Sequence, residues 1–563
     1  MQDAIVRISN SRYVQSNSNP KKWRFLSLAG ATAGRGLPAR QTQVGYFGGQ
    51  REKYNHPMIG RTTPLCFIAT TIVLTVPLWG AEHRIIGLSA SGKPIEALVV
   101  AAAPPTAPTV MLIGGLNGDS DSGRMIAAEV EDLESNPPSR RRFHLLAIPL
   151  ANPDNHPLVF PPTGVAYREN AESHVLWRWI GLHAPDLVLV LGGSDAGLAH
   201  ALSTNAVAGV GRIPARVMIM ARPTTLLSLP RDLRFSEAHS EMSQRRARSP
   251  QQLAEELAQY FGHDFNQLTY LPGMALIAQM RLGHVADVEK LAAVYLDPSR
   301  NVLNRANSLT LAGHLVFAEL AERSGNKAYA ELVRKAADLG FTETGEMRES
   351  MPFHDEMSDS IFMATPLVVK AGKLTGERKY FDLAARHFAF MQKLVLRPDG
   401  LYRHSPLTDA AWGRGNAFPA LGLALALSDF PRDHPAYSHM MAEFQQHMFT
   451  LAKFQDDDGM WHEVIDQPGS YAETSATAMI GLAMERGIRK GWLDPAAYQP
   501  RVNRAFNAVS ARVGRDGQLV DVCESTNKQK TLEDYLHREA ILGPDPRGGA
   551  MAMLFATEVG GLP

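Results

Sequence analysis

Cysteine is almost absent from this sequence. It holds two in 563 residues, Cys66 and Cys523, and Cys66 falls in an apolar segment near the N-terminus. The folded part therefore keeps one thiol, which excludes an internal disulfide framework. An excess of charge is missing too: Lys+Arg and Asp+Glu number 57 each. No basic field is available to draw in nucleic acid, and no nucleic-acid motif accompanies the balance. Long hydrophobic runs are lacking with one exception, "PLCFIATTIVLTVPLWGA" at 64–81. It follows "MIGRTT" and ends in small residues at Gly80-Ala81, the shape of a secretory signal. An uncleaved membrane anchor is the alternative, but the run is short for a span. The expected organisation is a signal over 58–81 and a periplasmic or secreted product. Residues 1–57, rich in Arg, Asn, Ser, Gln and Gly without periodicity, are then an extension ahead of a true start at Met58, or a disordered segment.

What is present falls into two halves. Over 83–240, strand-like and helix-like stretches alternate. "TVMLIGGLNG", "RFHLLAIPLANPD" and "PDLVLVLGGSDAG" are apolar runs ending in turn residues, the pattern of buried parallel strands in an α/β domain. "GGLNGDS" (114–120), "NPD" (152–154), "YREN" (167–170) and "LVLVLGG" (187–193) resemble the motif order of the zinc carboxypeptidase-like fold. The departures are decisive. Asn117 stands at the first His ligand, Ser120 at the Glu and Gly192 at the second His. A catalytic zinc needs three protein ligands, so no metal is expected there. Asp119 and Asp121 read as solvated loop acids.

From about 250 the pattern becomes helical. "SPQQLAEELAQYF" opens with a Ser N-cap and a Pro at the first helical position. "LAERSGNKAYAELVRKA" (320–336) is echoed by "AGKLTGERKYFDLAARH" (371–387), and Asp-Gly turns recur at Gly400, Gly459 and Gly517. A two-helix unit of about fifty to sixty residues is repeating. About six such units fill 250–560. Closed in a ring they make an (α/α)6 barrel; left open they make a solenoid. The expected fold is thus an N-terminal α/β domain followed by an all-α (α/α)6 barrel.

Within this region "HDEMSDSIFMATP" (354–366) sets three acids before an apolar run. Locally this is only a helix start, with Ser358 or Asp359 as N-cap. The wider pattern changes the reading. "SDSIFMATPLVVKAGKLTGERKY", "DGLYRHS", "WGRGNAF", "FQDDDGMWHEVID" and "SYAETSATAM" resemble, in order, the unsaturated rhamnogalacturonyl hydrolases of glycoside hydrolase family 105. The unsaturated glucuronyl hydrolases of family 88 are related. The resemblance implies a glycosidase that hydrates the C4=C5 double bond of an unsaturated uronic acid at the end of a lyase-generated pectin oligosaccharide. The two-carboxylate logic of ordinary glycosidases does not transfer. One enclosed carboxyl group must donate a proton to C4. The resemblance assigns this role to Asp359, with Asp355 and Glu356 as a solvated loop pair. It implies substrate contacts from His404, Trp412, Arg414, Asn416, Trp461 and His462: Arg414 toward the uronate carboxylate, Trp412 stacked on a sugar, Asn416 orienting a hydroxyl or water. Tyr471 and Glu473 are expected as packing and polar support, and His537 and Arg538 on the far rim. Neither metal nor cofactor is required.

One departure stands out: Asn307 or Ser308, in "RANSLTLAGHL", replaces a second Asp of the family. Two alternatives stay open. One is action on glycosaminoglycan-type disaccharides. The other is a non-catalytic glycan-binding protein with a decayed barrel.

Overall fold

A computed structural model describes residues 80–218 and 232–562, with Leu226 and Leu229 between them. The expected extension and signal lie outside the described residues, apart from Gly80 and Ala81. Among the described residues no helix is long and apolar enough to cross a membrane.

The first half forms a six-stranded sheet from β1 (Glu82–Leu88), β2 (Pro94–Val100), β3 (Thr109–Ile113), β4 (His144–Ile148), β5 (Leu187–Leu191) and β6 (Ala215–Met218), in the order β1-β2-β4-β3-β5-β6. β1, β2 and β4 pair antiparallel, while β4, β3, β5 and β6 are parallel. The three apolar runs of the sequence are β3, β4 and β5. Their buried faces explain why they lack alternation. The sheet is accompanied by α1 (Ser120–Glu134), α2 (Ala171–His183), α3 (Leu198–Thr204) and α4 (Glu237–Arg246). Asn117 and Ser120 follow β3, and Gly192 follows the neighbouring β5, where a side chain would meet Asp119.

The second half begins with α5 (Pro250–Ala258), α6 (Tyr270–Arg281), α7 (Val285–Ala292), α8 (Ser308–Gly313), α9 (Leu315–Ser324) and α10 (Lys327–Asp338). It continues with α11 (Ser360–Thr375), α12 (Arg378–Val395), α13 (Gly413–Asp429), α14 (Tyr437–Ala452), α15 (Thr474–Arg489) and α16 (Pro495–Arg512). A hairpin of β7 (Gln518–Cys523) and β8 (Ala540–Pro544), with α17 (Leu532–Leu536) in its connection, precedes α18 (Pro546–Val559). The inner ring runs α6, α8–α9, α11, α13, α15, α18 and back to α6, each packed on the next. α7, α10, α12, α14 and α16 lie outside their partners, and α5 covers α18. The ring is closed, so the (α/α)6 barrel stands and the open solenoid is excluded.

Composition sorts the two layers. α11 and α13 are buried on nearly every side, whereas α10 and α12 bury one stripe. Connections from inner to outer helices are short: Gly325 and Gly376 end α9 and α11 with φ of 69° and 75°, left-handed caps that suit glycine. Those from outer to inner helices are long and hold the Asp-Gly turns. All six inner helices therefore start at one end of the barrel. The opposite end carries ion pairs around a small cavity of about 70 Å³. Glu558, at the seam, takes Arg281, Arg486 and Arg489, while Asp429 takes Lys370 and Lys373. Cations beside helix C-termini are favourable. One end, with six helix N-termini, is left as the mouth, and such a ring of N–H groups favours an anionic guest.

Candidate active site

Asp359 sits at the N-cap position of α11 in right-handed conformation, yet its side chain caps nothing. It is 17% exposed, and its Oδ2 lies 3.3 Å from Nε2 of the fully buried His404. Neither atom has a hydrogen-bond partner. His404 enters from the long α12–α13 connection, where Ser358 N–H donates to its carbonyl and so ties the two segments together. On its far side Nδ1 is 2.8 Å from the Tyr535 hydroxyl, which accepts the Gln529 N–H. This network assigns the hydroxyl hydrogen to Nδ1 and turns the Nε2 hydrogen toward Asp359. Buried polar atoms without partners are uncommon in a folded chain. Here Ser358 Oγ, Asp359 Oδ2, His404 Nε2 and Arg414 Nε collect around the inner-helix N-termini.

Arg414 does not present itself as expected. It is 3% exposed, and Nη1 donates to Cys523 O (2.8 Å) and Ser475 Oγ (3.3 Å), with Glu473 at 3.8 Å. Its charge is spent mainly on the protein, because Glu473 caps α15 from a fully buried position and needs a cation. Trp412 is corrected likewise. One face carries the Arg414 guanidinium at 4.8 Å, the ring packs 4.6 Å from His404, and Nε1 donates to Glu463 (2.8 Å). No open face remains for a sugar. Asn416 exchanges its amide with Tyr402 N and O and with Trp412 O, which uses its capacity on the loop that carries His404. Trp461 is core, its Nε1 on Leu451 O. His462 bonds Ser470 O and Asp456, and lines a cavity of about 360 Å³ shared with Arg84, Trp179 and His183. These residues build the site from behind. Tyr471 and Glu473 are support, as expected, and Asp355 and Glu356 are an exposed loop pair at φ of 48° and 56°. Asn307 caps α8 by accepting Thr310 N–H, so the missing Asp has become a helix cap. His537 turns to Tyr167 O and Arg538 to Glu524.

Three residues escaped the sequence reading. Tyr270 starts α6 among Asp359, Arg414 and Arg547, with burial pushing its hydroxyl up to about 12. Tyr535, more than 130 residues beyond His404 in the chain, meets it only through the fold. Glu463 is the third. Burial, with Glu473 beside it, pushes its carboxyl up to about 8. One cation, Arg414, faces two acids, Glu473 and Glu463. Glu463 keeps its proton and anchors Trp412. The sign follows: the native state holds a proton that the unfolded chain releases above about 4.5. Glu463's contribution to stability is therefore full below that value and is lost as pH rises toward about 8. Glu463→Gln, neutral throughout, should remove this slope when thermal midpoints are compared across that window.

Among the described residues one group could suggest a metal, the Asp154, His156 and Glu172 cluster. Burial opposes ionisation of Asp154, yet the Ser91 hydroxyl and N–H and the Lys93 ammonium hold it well below the usual carboxylate range. Those donors occupy the lone pairs a cation would need.

Comparison with known proteins identifies the family. Residues 241–561 match the model of Glycosyl Hydrolase Family 88. The unsaturated rhamnogalacturonyl hydrolase YesR of Bacillus subtilis is 25% identical over 248 residues, 41% of this chain and 70% of the relative. An unsaturated 3S-rhamnoglycuronyl hydrolase of Formosa agariphila is 27% identical over 179 residues, 29% of this chain and 48% of that protein. A crystal structure described as a possible GH105 member from Salmonella enterica superposes with a TM-score of 0.47 at 20% identity, covering 61% of this chain and 98% of that one. The family match spans more than half of the chain and takes in the whole helical ring with its Asp359–His404 pair; the chain is a glycosidase and belongs to glycosyl hydrolase family 88.

Proposed function

We propose that the protein removes a Δ4,5-unsaturated uronic acid from the non-reducing end of rhamnogalacturonan-type oligosaccharides left by a polysaccharide lyase. The observation that carries this is the Asp359–His404 pair, two buried atoms 3.3 Å apart without partners at the ring of helix N-termini. The Asp359 carboxyl gives its proton to C4 of the vinyl ether. Positive charge develops at C5 and on the ring oxygen. A water attacks C5 and returns a proton to Asp359. The hemiketal opens by breaking the bond from C5 to the ring oxygen. The hemiacetal this leaves at C1 collapses and releases the leaving sugar as an alcohol. The His404 Nε2 hydrogen steadies Asp359 while it is ionised.

The double bond erases the configuration at C4, so unsaturated galacturonate and glucuronate are one compound. Selectivity falls on the leaving sugar. Leu309 in the first turn of α8, and Phe353 and Leu407 on the segments entering α11 and α13, are exposed. An apolar rim suits a 6-deoxy sugar with its methyl group, and the names of both curated relatives support the same reading. Export rests on the apolar run 64–81 alone.

The test is loss of enoate ultraviolet absorbance with unsaturated rhamnogalacturonan disaccharide, beside unsaturated chondroitin and heparin disaccharides. The first should be consumed fastest, by on the order of tenfold or more in kcat/KM. A faster glycosaminoglycan disaccharide would move the assignment to that class. No turnover of any would make this a binding protein.

A further inference from the structure

The hairpin β7–β8 carries an excursion, residues 524–539, across the mouth. It touches the site at three places. Tyr535 meets His404 Nδ1 at 2.8 Å, Lys528 meets Glu356 at 3.2 Å on the loop before Asp359, and Cys523, where the excursion leaves β7, gives its carbonyl to Arg414. A single side chain grips both ends of this strap, and it comes from the α/β domain. Arg178 on α2 pairs through Nη1 with Asp521 of β7, and Nη2 donates to Ala540 O, the first residue of β8 (2.9 Å). Arg178 and Asp521 are 5% and 4% exposed. Asp521 has a φ of 58° at a slip in register between Val520 and Val522. Such a bulge re-aims a side chain, here toward the other domain. Tyr167, from the same domain, donates its hydroxyl to Asp521 (3.1 Å), lies under the Arg178 guanidinium and stacks on Tyr471 at 4.7 Å. Its carbonyl accepts from His537, within the strap (2.9 Å).

We propose that Arg178 is a positioning residue for the barrel's active site: by clamping both ends of the 524–539 strap it holds Tyr535 on His404, and this is a role of the α/β domain. A pair serving only to glue the domains together would need no contact with β8, nor a left-handed residue on β7. The inference rests on the Asp359 reading above.

The test is a double-variant cycle on the full chain with the unsaturated disaccharide. Arg178→Lys keeps the charge but loses the planar fork that reaches two partners. Tyr535→Phe removes only the hydroxyl. Each single variant should stay folded by circular dichroism and lose on the order of 10- to 100-fold in kcat, because small misplacements near reacting groups cost that much. KM should change far less. Both variants should displace the pH profile of kcat in the same direction, as loss of a shared hydrogen bond on His404 requires. The double variant should be no slower than the slower single variant. Wild-type kcat in folded Arg178→Lys, or losses that multiply in the double variant, would overturn the proposal. If Arg178→Lys does not fold, Tyr167→Phe replaces it in the cycle, with a loss of a few-fold and the same two overturning results. Asp359→Asn run alongside separates the readings. If it is active, the site assignment fails and the strap's purpose with it. If it is inactive while the cycle is additive, only the strap proposal fails.

Discussion

Asp359→Asn should leave a folded protein whose turnover is lower by on the order of 10³-fold, within the range for removing a general acid. An amide has no proton to give to carbon, so the first bond to C4 cannot form. Stability should change by less than about 0.5 kcal/mol, since the side chain makes no cap hydrogen bond and is partly open to solvent. The opposite result is equally readable. Were Asp359 only the start of a helix, both turnover and stability would persist, because Asn caps a helix as well as Asp does. Enoate absorbance discriminates between the two, with a thermal melt on the same preparation to show that the variant is folded.

Arg414→Met should act on stability before it acts on binding. The change removes the guanidinium that lies 3.8 Å from fully buried Glu473 and donates to Cys523 O, and it leaves a carboxylate without its cation. Breaking one partner of a buried pair costs about 3–5 kcal/mol. Urea unfolding should report a midpoint lower by an amount consistent with that cost at unchanged slope. The local scaffold should loosen too, because Trp412 stacks on Arg414 and also packs against His404. A variant with wild-type stability and only a raised KM would instead put the guanidinium on the substrate.

Much of this protein was legible along the chain. The two echoes, 320–336 and 371–387, with Gly325 and Gly376 between their helices, announced helical hairpins, because a left-handed cap is a local requirement that a sequence must satisfy locally. The uninterrupted apolar runs of β3, β4 and β5 announced buried parallel strands for the same reason. Asp359 and His404 were found through motif order, and the structure brings them together although they lie on separate connections. The remaining site residues were identified as chemical types and misassigned in direction. Trp412, Arg414, Asn416 and Trp461 face inward because each polar atom found a partner that is remote in the chain: Glu463, Cys523, Tyr402 and Leu451. A motif states which residues are near the chemistry; it does not state which of them face it.

By itself the sequence determined the two-part architecture, the helical repeat and the acid at the head of α11, since periodicity, caps and turns are short-range demands. Only the tertiary structure decided that six helix N-termini would share one mouth, that Glu463 would stay protonated beside Glu473, and that Arg178 would reach both strands of a hairpin more than 340 residues further along. Those outcomes depend on which desolvated groups end up side by side. Burial multiplies the strength of such encounters, and chain order carries no record of them.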